Sequence, residues 1–311
     1  MSAGRALVTG AAGQDGSYLV ESLLARGYDV VGVVLDASVE IGEAQLVEVD
    51  LLDADAVVRL LREHRPQEVY NLASPSFVPR SWEHPLETAG AGTIGVTALL
   101  EAVRAVDDEI RLFQASSSEI FGEPVEVPQT EATPLAPLTP YGAAKAYAHF
   151  LVRAYRRRYG LHASSGILYN HESPRRPETF LPSKVAHAVV RIERGEEREL
   201  VLGDLDAQRD WGYACDYVEA MRLVVQQNEP DDYVIASGEQ HSVRELVELA
   251  FAHAGLDWRE HVRVDESLKR GPSELHHLVG DASKARERLG WAPTLTFQEL
   301  VALLVDAARA G

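Results

Sequence analysis

Ser117, Ser118, Glu119, Tyr141 and Lys145 are the residues whose types and spacing could do chemistry in this chain. The first three directly follow an apolar run, Ile110–Phe113, that reads as a buried strand. Tyr141 and Lys145 stand four residues apart at the start of a predicted helix, so they share one face. An ammonium on that face favours phenolate and draws the tyrosine pKa down from about 10, which makes a proton-transfer pair. Tyr-x-x-x-Lys also arises by chance on surface helices. Its weight therefore depends on what surrounds it.

The surroundings begin at the N-terminus. A short apolar strand, Arg5–Thr9, runs into a glycine turn containing Gly10, Gly13, Gln14, Asp15 and Gly16. An amphipathic helix follows to about Arg26, with Leu19, Leu23 and Leu24 on its apolar face. Strand, glycine turn and helix in this order form a pyrophosphate cradle, because backbone N–H groups and the helix N-terminus can approach the phosphates. The next strand ends at Asp36, twenty residues beyond Gly16. An acid there accepts hydrogen bonds from an adenosine ribose and repels a 2′-phosphate, so NAD is expected, with NADP the second option. Further predicted strands at Gln45–Val49 and Glu68–Leu72 alternate with helices at Asp53–His64 and Glu87–Val106. That alternation predicts an α/β fold, a Rossmann-type doubly wound parallel sheet, with ligands at the carboxyl ends of the strands.

Beyond the helix that begins at Tyr141, a strand leads into Asn170-His-Glu-Ser-Pro-Arg175-Arg176. The paired arginines could clamp a diphosphate or could lie in a solvated turn. Lys184 is expected to open a helix to about Arg194, and Arg209 is a second candidate phosphate ligand. Ser242 with Glu245 predicts a capped helix to about Ala254. A smaller C-terminal α/β domain is expected to bind substrate. Its bounds are 169–208 and 238–311, against 1–168 for the cofactor domain with a returning segment at about 209–237.

The composition excludes several classes. With 311 residues, 46% of them hydrophobic, the chain can bury a sizeable core. One cysteine, Cys215, rules out a disulfide framework. The adjacent His276 and His277 point apart on any regular element, so no metal site is expected. A net charge of −18 disfavours nucleic acid and anionic membranes. No apolar run is read as long enough to span a bilayer, nor does the N-terminus read as a secretory signal. A cytoplasmic protein is expected.

The glycine turn, Asp50-Leu51, Asn71-Leu72-Ala73, Ser117 and Tyr141-x-x-x-Lys145 together resemble an extended short-chain dehydrogenase/reductase. NHESPRR, the 203–221 segment GDLDAQRDWGYACDYVEAM, and QASSSEIFG sharpen this to the GDP-mannose 4,6-dehydratase family. The resemblance implies that Asp50, Leu51, Leu72 and Ala73 join the cofactor contacts and that Lys145 also holds the nicotinamide ribose. Ser117 would stand in place of a catalytic threonine, Glu119 would be the general base and Tyr141 the oxidation base. Ser76, Ser118, Asn170, Lys184, Arg209 and Arg270 would hold a GDP-hexose. A homodimer through the helices near 87–106 and 141–159 is also implied. This chain departs from the family at Leu35-Asp36, where paired arginines usually stand, and at Phe77, where the family has a histidine. Phe77 leaves open a GDP-sugar epimerase or a dehydratase of a related sugar such as a heptose. A non-catalytic NAD-binding regulator is the remaining alternative, and the intact Ser117, Glu119, Tyr141 and Lys145 count against it.

Overall fold

Strand and helix alternate through the first two thirds of the chain, and the strands pair into one parallel sheet. The computed structural model describes residues 4–36, 38–268 and 277–311. In chain order the elements are β1 (Arg5–Thr9), α1 (Gln14–Ala25), β2 (Asp29–Val34), β3 (Gln45–Glu48), α2 (Ala54–His64) and β4 (Glu68–Asn71). Then come α3 (Arg80–Glu83), α4 (Pro85–Ala89), α5 (Val96–Val106), β5 (Arg111–Ser117), α6 (Pro140–Tyr159), β6 (Ala163–Leu168) and β7 (Asn170–Glu172). The remainder is α7 (Leu181–Glu193), β8 (Leu200–Leu202), β9 (Gln208–Arg209), β10 (Trp211–Tyr213), α8 (Ala214–Val225), β11 (Asp232–Ile235), β12 (His241–Ser242), α9 (Val243–His253), β13 (Val262–Val264), α10 (Ser283–Leu289) and α11 (Phe297–Ala310).

The main sheet has seven strands in the order β11-β6-β5-β4-β1-β2-β3, every neighbouring pair parallel. Such strands are covered on both faces, and their sequences are accordingly near-continuous apolar runs. One face packs α1 and α8 around Leu19, Leu23, Tyr217 and Met221; the other packs α2, α5 and α6 around Leu61, Leu99 and Val152. Strand order reverses between β1 and β4, where a crevice must open. Thr9 pins that point: its hydroxyl accepts from the Leu72 and Ala73 N–H groups and donates to Asn71, whose amide reaches Gln114.

A second core gathers α7, α9 and α11 around Val189, Leu246, Phe251 and Leu304. The tail does not belong wholly to it. Ala282, Ala285, Leu289 and Trp291 join the core of the main sheet, where the Trp291 indole donates to the Asp216 carbonyl at 2.7 Å. The expected 238–311 unit is thus split by a segment that returns to α8, anchored by an aromatic contact between Trp291 and Tyr217.

Two local expectations change. Phe180 rather than Lys184 precedes the first turn of α7, because Pro182 is well placed in a first turn whose N–H groups lack partners anyway. Helices α4 and α5 are joined through a π-helical stretch, Gly90–Gly95, into one 22-residue helix. By length and composition alone that helix could cross a membrane, contrary to the expectation that no segment is so long; 44% of its apolar 18-residue window is buried in the fold, and the helix packs against α2 and α6. Lys269, Arg270 and His276 lie outside the described residues.

Candidate active site

The glycine turn takes its shape from contacts that only glycine allows. Gly10 has φ +66°, and a β-carbon there would press on the backbone of Ala73 at 3.0 Å. A β-carbon on Gly16 would collide with the Gly10 carbonyl oxygen. Gly13 precedes α1 with no side-chain cap, so the leading N–H groups of the helix stay available to an anion. This cradle fits a dinucleotide pyrophosphate. Asp36 is exposed after the end of β2, and a hydrogen bond from the Ser38 N–H holds its carboxyl below the usual value.

A cleft of about 490 Å³ opens from that cradle across the ends of β5, β6 and β7 to α7. It brings together Gly10, Gly13, Gln14, Asp15, Gly16 and Leu72 with Ser117, Ser118, Glu119, Tyr141 and Lys145. Ser76, Asn170, Lys184 and Arg209 complete the wall. Asp36, Asp50, Leu51 and Ala73 lie outside this lining. The exposed Asp50 carboxylate accepts from the Leu52 N–H at 2.9 Å.

Glu119 sits in a short 3₁₀ turn after β5 and opposite the first turn of α6. Ser117 accepts the Glu119 N–H, and Thr139 donates to the Glu119 carboxylate at 3.4 Å. Tyr141 is buried, and burial pushes its phenol up to about 12 despite a hydrogen bond from the Ser117 side chain. Burial pulls Lys145 down to about 8, and its ammonium donates to the Ala115 carbonyl at 2.9 Å. The lysine nitrogen is 5.7 Å from the Tyr141 ring centre. The expected depression of the tyrosine pKa is therefore absent from the open cleft. Desolvation outweighs a lysine whose charge is turned to a backbone carbonyl.

The two adjacent arginines part company. Arg175 stacks on Tyr18 and binds Ser17 and the Glu21 carboxylate on the outer side of α1. Arg176 lines the cleft, 3.5 Å from Glu172 and stacked on Phe180. The joint clamp is thereby excluded, since Glu21 offers Arg175 a partner that the local sequence does not reveal. Two sets of contacts in the cleft have no signal in the local sequence. His171 pairs with Asp15 at 2.9 Å, and Gln14 bonds both the His171 carbonyl and Ser173. Their partners are more than 150 positions away. Phe77 meets Phe180 edge-on at 5.4 Å, an apolar contact across the cleft between the loop after β4 and the start of α7.

A doubly wound sheet with a glycine cradle and a Ser–Tyr–Lys set at the strand ends defines a short-chain dehydrogenase/reductase of the extended kind. Residues 7–304 match the family model described as GDP-mannose 4,6 dehydratase. The chain is 46% identical to GDP-mannose 4,6 dehydratase 1 of Arabidopsis thaliana, over 97% of this chain and 88% of that protein. It is 42% identical to GDP-mannose 4,6 dehydratase of Homo sapiens, over 97% and 90%. UDP-glucose 4-epimerase of Thermus thermophilus, solved with NAD, superposes with a TM-score of 0.86 at 31% identity, covering 99% of both chains. The chain belongs to the GDP-mannose 4,6-dehydratase family.

Proposed function

We propose that this protein is an NAD(P)-dependent lyase that converts GDP-mannose to GDP-4-keto-6-deoxymannose, releasing one water with no net use of cofactor. One observation carries the reading: a carboxylate, a phenol and an ammonium face the same cleft as the glycine cradle. A nicotinamide held there would supply the hydride acceptor for C4 and the hydride donor for C6. Tyr141 takes the proton of the sugar 4-hydroxyl, which Ser117 orients. Lys145 holds the nicotinamide ribose. The new 4-ketone acidifies the C5 proton, and Glu119 removes it. The C5 electron pair then expels the C6 hydroxyl, protonated by the conjugate acid of Glu119 or by Ser118, to leave a 4-keto-5-ene. Return of the hydride to C6 and protonation of C5, balanced by the proton first taken from the 4-hydroxyl, complete the product. A positioned general base is worth about 10²–10⁴ in rate, which is why an acid at 119 separates this chemistry from plain oxidation.

Asn170, Lys184 and Arg209, with Arg270, are assigned to the nucleotide diphosphate, supported by their cationic or hydrogen-bonding side chains in a strongly acidic chain. Gln14, Asp15, Asp50, Leu51, Leu72 and Ala73 are assigned to the cofactor, and Ser76 to the sugar. NAD is preferred to NADP because the exposed Asp36 stays ionised and repels a 2′-phosphate. The 1–168 and 209–237 segments form the cofactor unit, supported by β11 lying in the main sheet and α8 packing on α1. A homodimer forms on the α4–α6 face, supported by the exposed Leu86, Ile94 and Phe150. Its place is the cytoplasm. The Phe77–Phe180 contact favours one second reading, a GDP-linked heptose accommodated by an apolar wall.

Incubation with GDP-mannose and NAD, followed by mass analysis, tests the proposal. Loss of one water is expected. Recovery of a C4 epimer of unchanged mass would overturn it, and dehydration of the heptose substrate alone would favour the second reading.

A further inference from the structure

Thr139 is buried at the residue before α6, and no role in the chemistry follows from its sequence position alone. Its hydroxyl oxygen accepts the Gly142 N–H at 2.9 Å, the bond that caps the helix carrying Tyr141 and Lys145. Its proton is directed to Oε2 of Glu119 at 3.4 Å. The backbones meet at the same place. A β-carbon on Gly142 would lie 2.6 Å from the Glu119 carbonyl oxygen and 3.2 Å from Thr139 Oγ1. The first turn of α6 and the turn bearing Glu119 are therefore joined twice, through one hydroxyl and through a contact only glycine permits.

We propose that Thr139 is a positioning residue for water elimination: its O–H orients the Glu119 carboxylate toward the cleft, while its oxygen caps α6. The proposal rests on Glu119 being the C5 base. A hydroxyl donating to a carboxylate favours the anion and fixes its rotamer. Oxidation at C4 depends on Tyr141 and not on this donor, so its loss should slow elimination and spare the first step. Tyr141 and Lys145 on α6, and Asp15, His171, Glu172 and Arg176 elsewhere in the cleft, remain unchanged in every variant compared below.

Capping and donation can be separated. Aspartate caps a helix as well as threonine does but has no proton for Glu119 at neutral pH. Glycine caps nearly as well and offers no side chain. Serine keeps both functions. The experiment compares Thr139→Ser, Thr139→Asp, Thr139→Gly and Glu119→Gln, each as the NAD holoenzyme with GDP-mannose. Reduced-nicotinamide absorbance and dehydrated product are followed together. Thr139→Asp and Thr139→Gly are expected to accumulate reduced cofactor and to lose product formation roughly ten- to a hundred-fold, the size of a lost hydrogen bond to a charged group. Thr139→Ser is expected to restore the rate. If Glu119→Gln is blocked while Thr139→Asp and Thr139→Gly form product as fast as Thr139→Ser, Thr139 is only a cap and the proposal fails. Ordinary turnover by Glu119→Gln would instead overturn the base assignment beneath it.

Discussion

Tyr141 shows how one side chain depends on what fills its surroundings. Burial keeps it a neutral phenol, raised to about 12, while Lys145 is lowered to about 8 by the same desolvation. The tyrosine becomes a base only when further positive charge enters the cleft. A spectroscopic titration of the cofactor-free protein against Tyr141→Phe should show no phenolate from this residue below about pH 10. A phenolate appearing near pH 8 would contradict this account. Asp36 poses a simpler question of charge against charge. Replacing it with asparagine should narrow the preference for NAD over NADP several-fold in equilibrium binding, and an unchanged ratio would remove its role. Residue types and spacing made both assignments legible in the sequence. The fate of Arg175 was not, since Glu21 on α1 becomes its partner only after folding.

At the scale of elements, Asp15 on α1 and His171 on β7 tie the cofactor turn to the substrate wall. Burial alone would depress the histidine, but the carboxylate raises it above the usual 6.5. Burial would raise Asp15, but the histidine charge lowers it below 3.8. The raised His171 stabilises the fold fully below pH 6.5, and that contribution fades as pH rises through its folded value. The lowered Asp15 stabilises above pH 3.8, and its share fades as pH falls through its folded value. The wild type should therefore lose more stability than His171→Gln between pH 6 and about pH 9, read from urea midpoints at each pH. Parallel losses would show that the pair contributes nothing. Local signals gave elements such as α9, where Ser242 and Glu245 form the expected capping box. The π-helical join at Gly90–Gly95 escaped because it depends on packing, with the Gly92 backbone held against Ala144.

At the scale of the whole molecule, several of the exposed large apolar side chains among the described residues lie on the segment from α3 to α6. Trp82, Leu86, Ile94 and Phe150 are all more than half exposed, Leu86 at 87%. The proposed homodimer would cover these side chains with their own copies across a two-fold axis. Phe150→Glu should shift the protein to monomer in sedimentation, whereas a monomeric wild type at micromolar concentration would refute the dimer. Helix α6 also carries Tyr141 and Lys145, which line the cleft. In the proposed reaction, oxidation and elimination in the cleft are divided between Tyr141 and Glu119. The most direct test of that division is Glu119→Gln holoenzyme mixed with GDP-mannose while reduced cofactor and product mass are recorded. Reduced nicotinamide should appear and persist without dehydrated sugar, and dehydration at the wild-type rate would contradict the account.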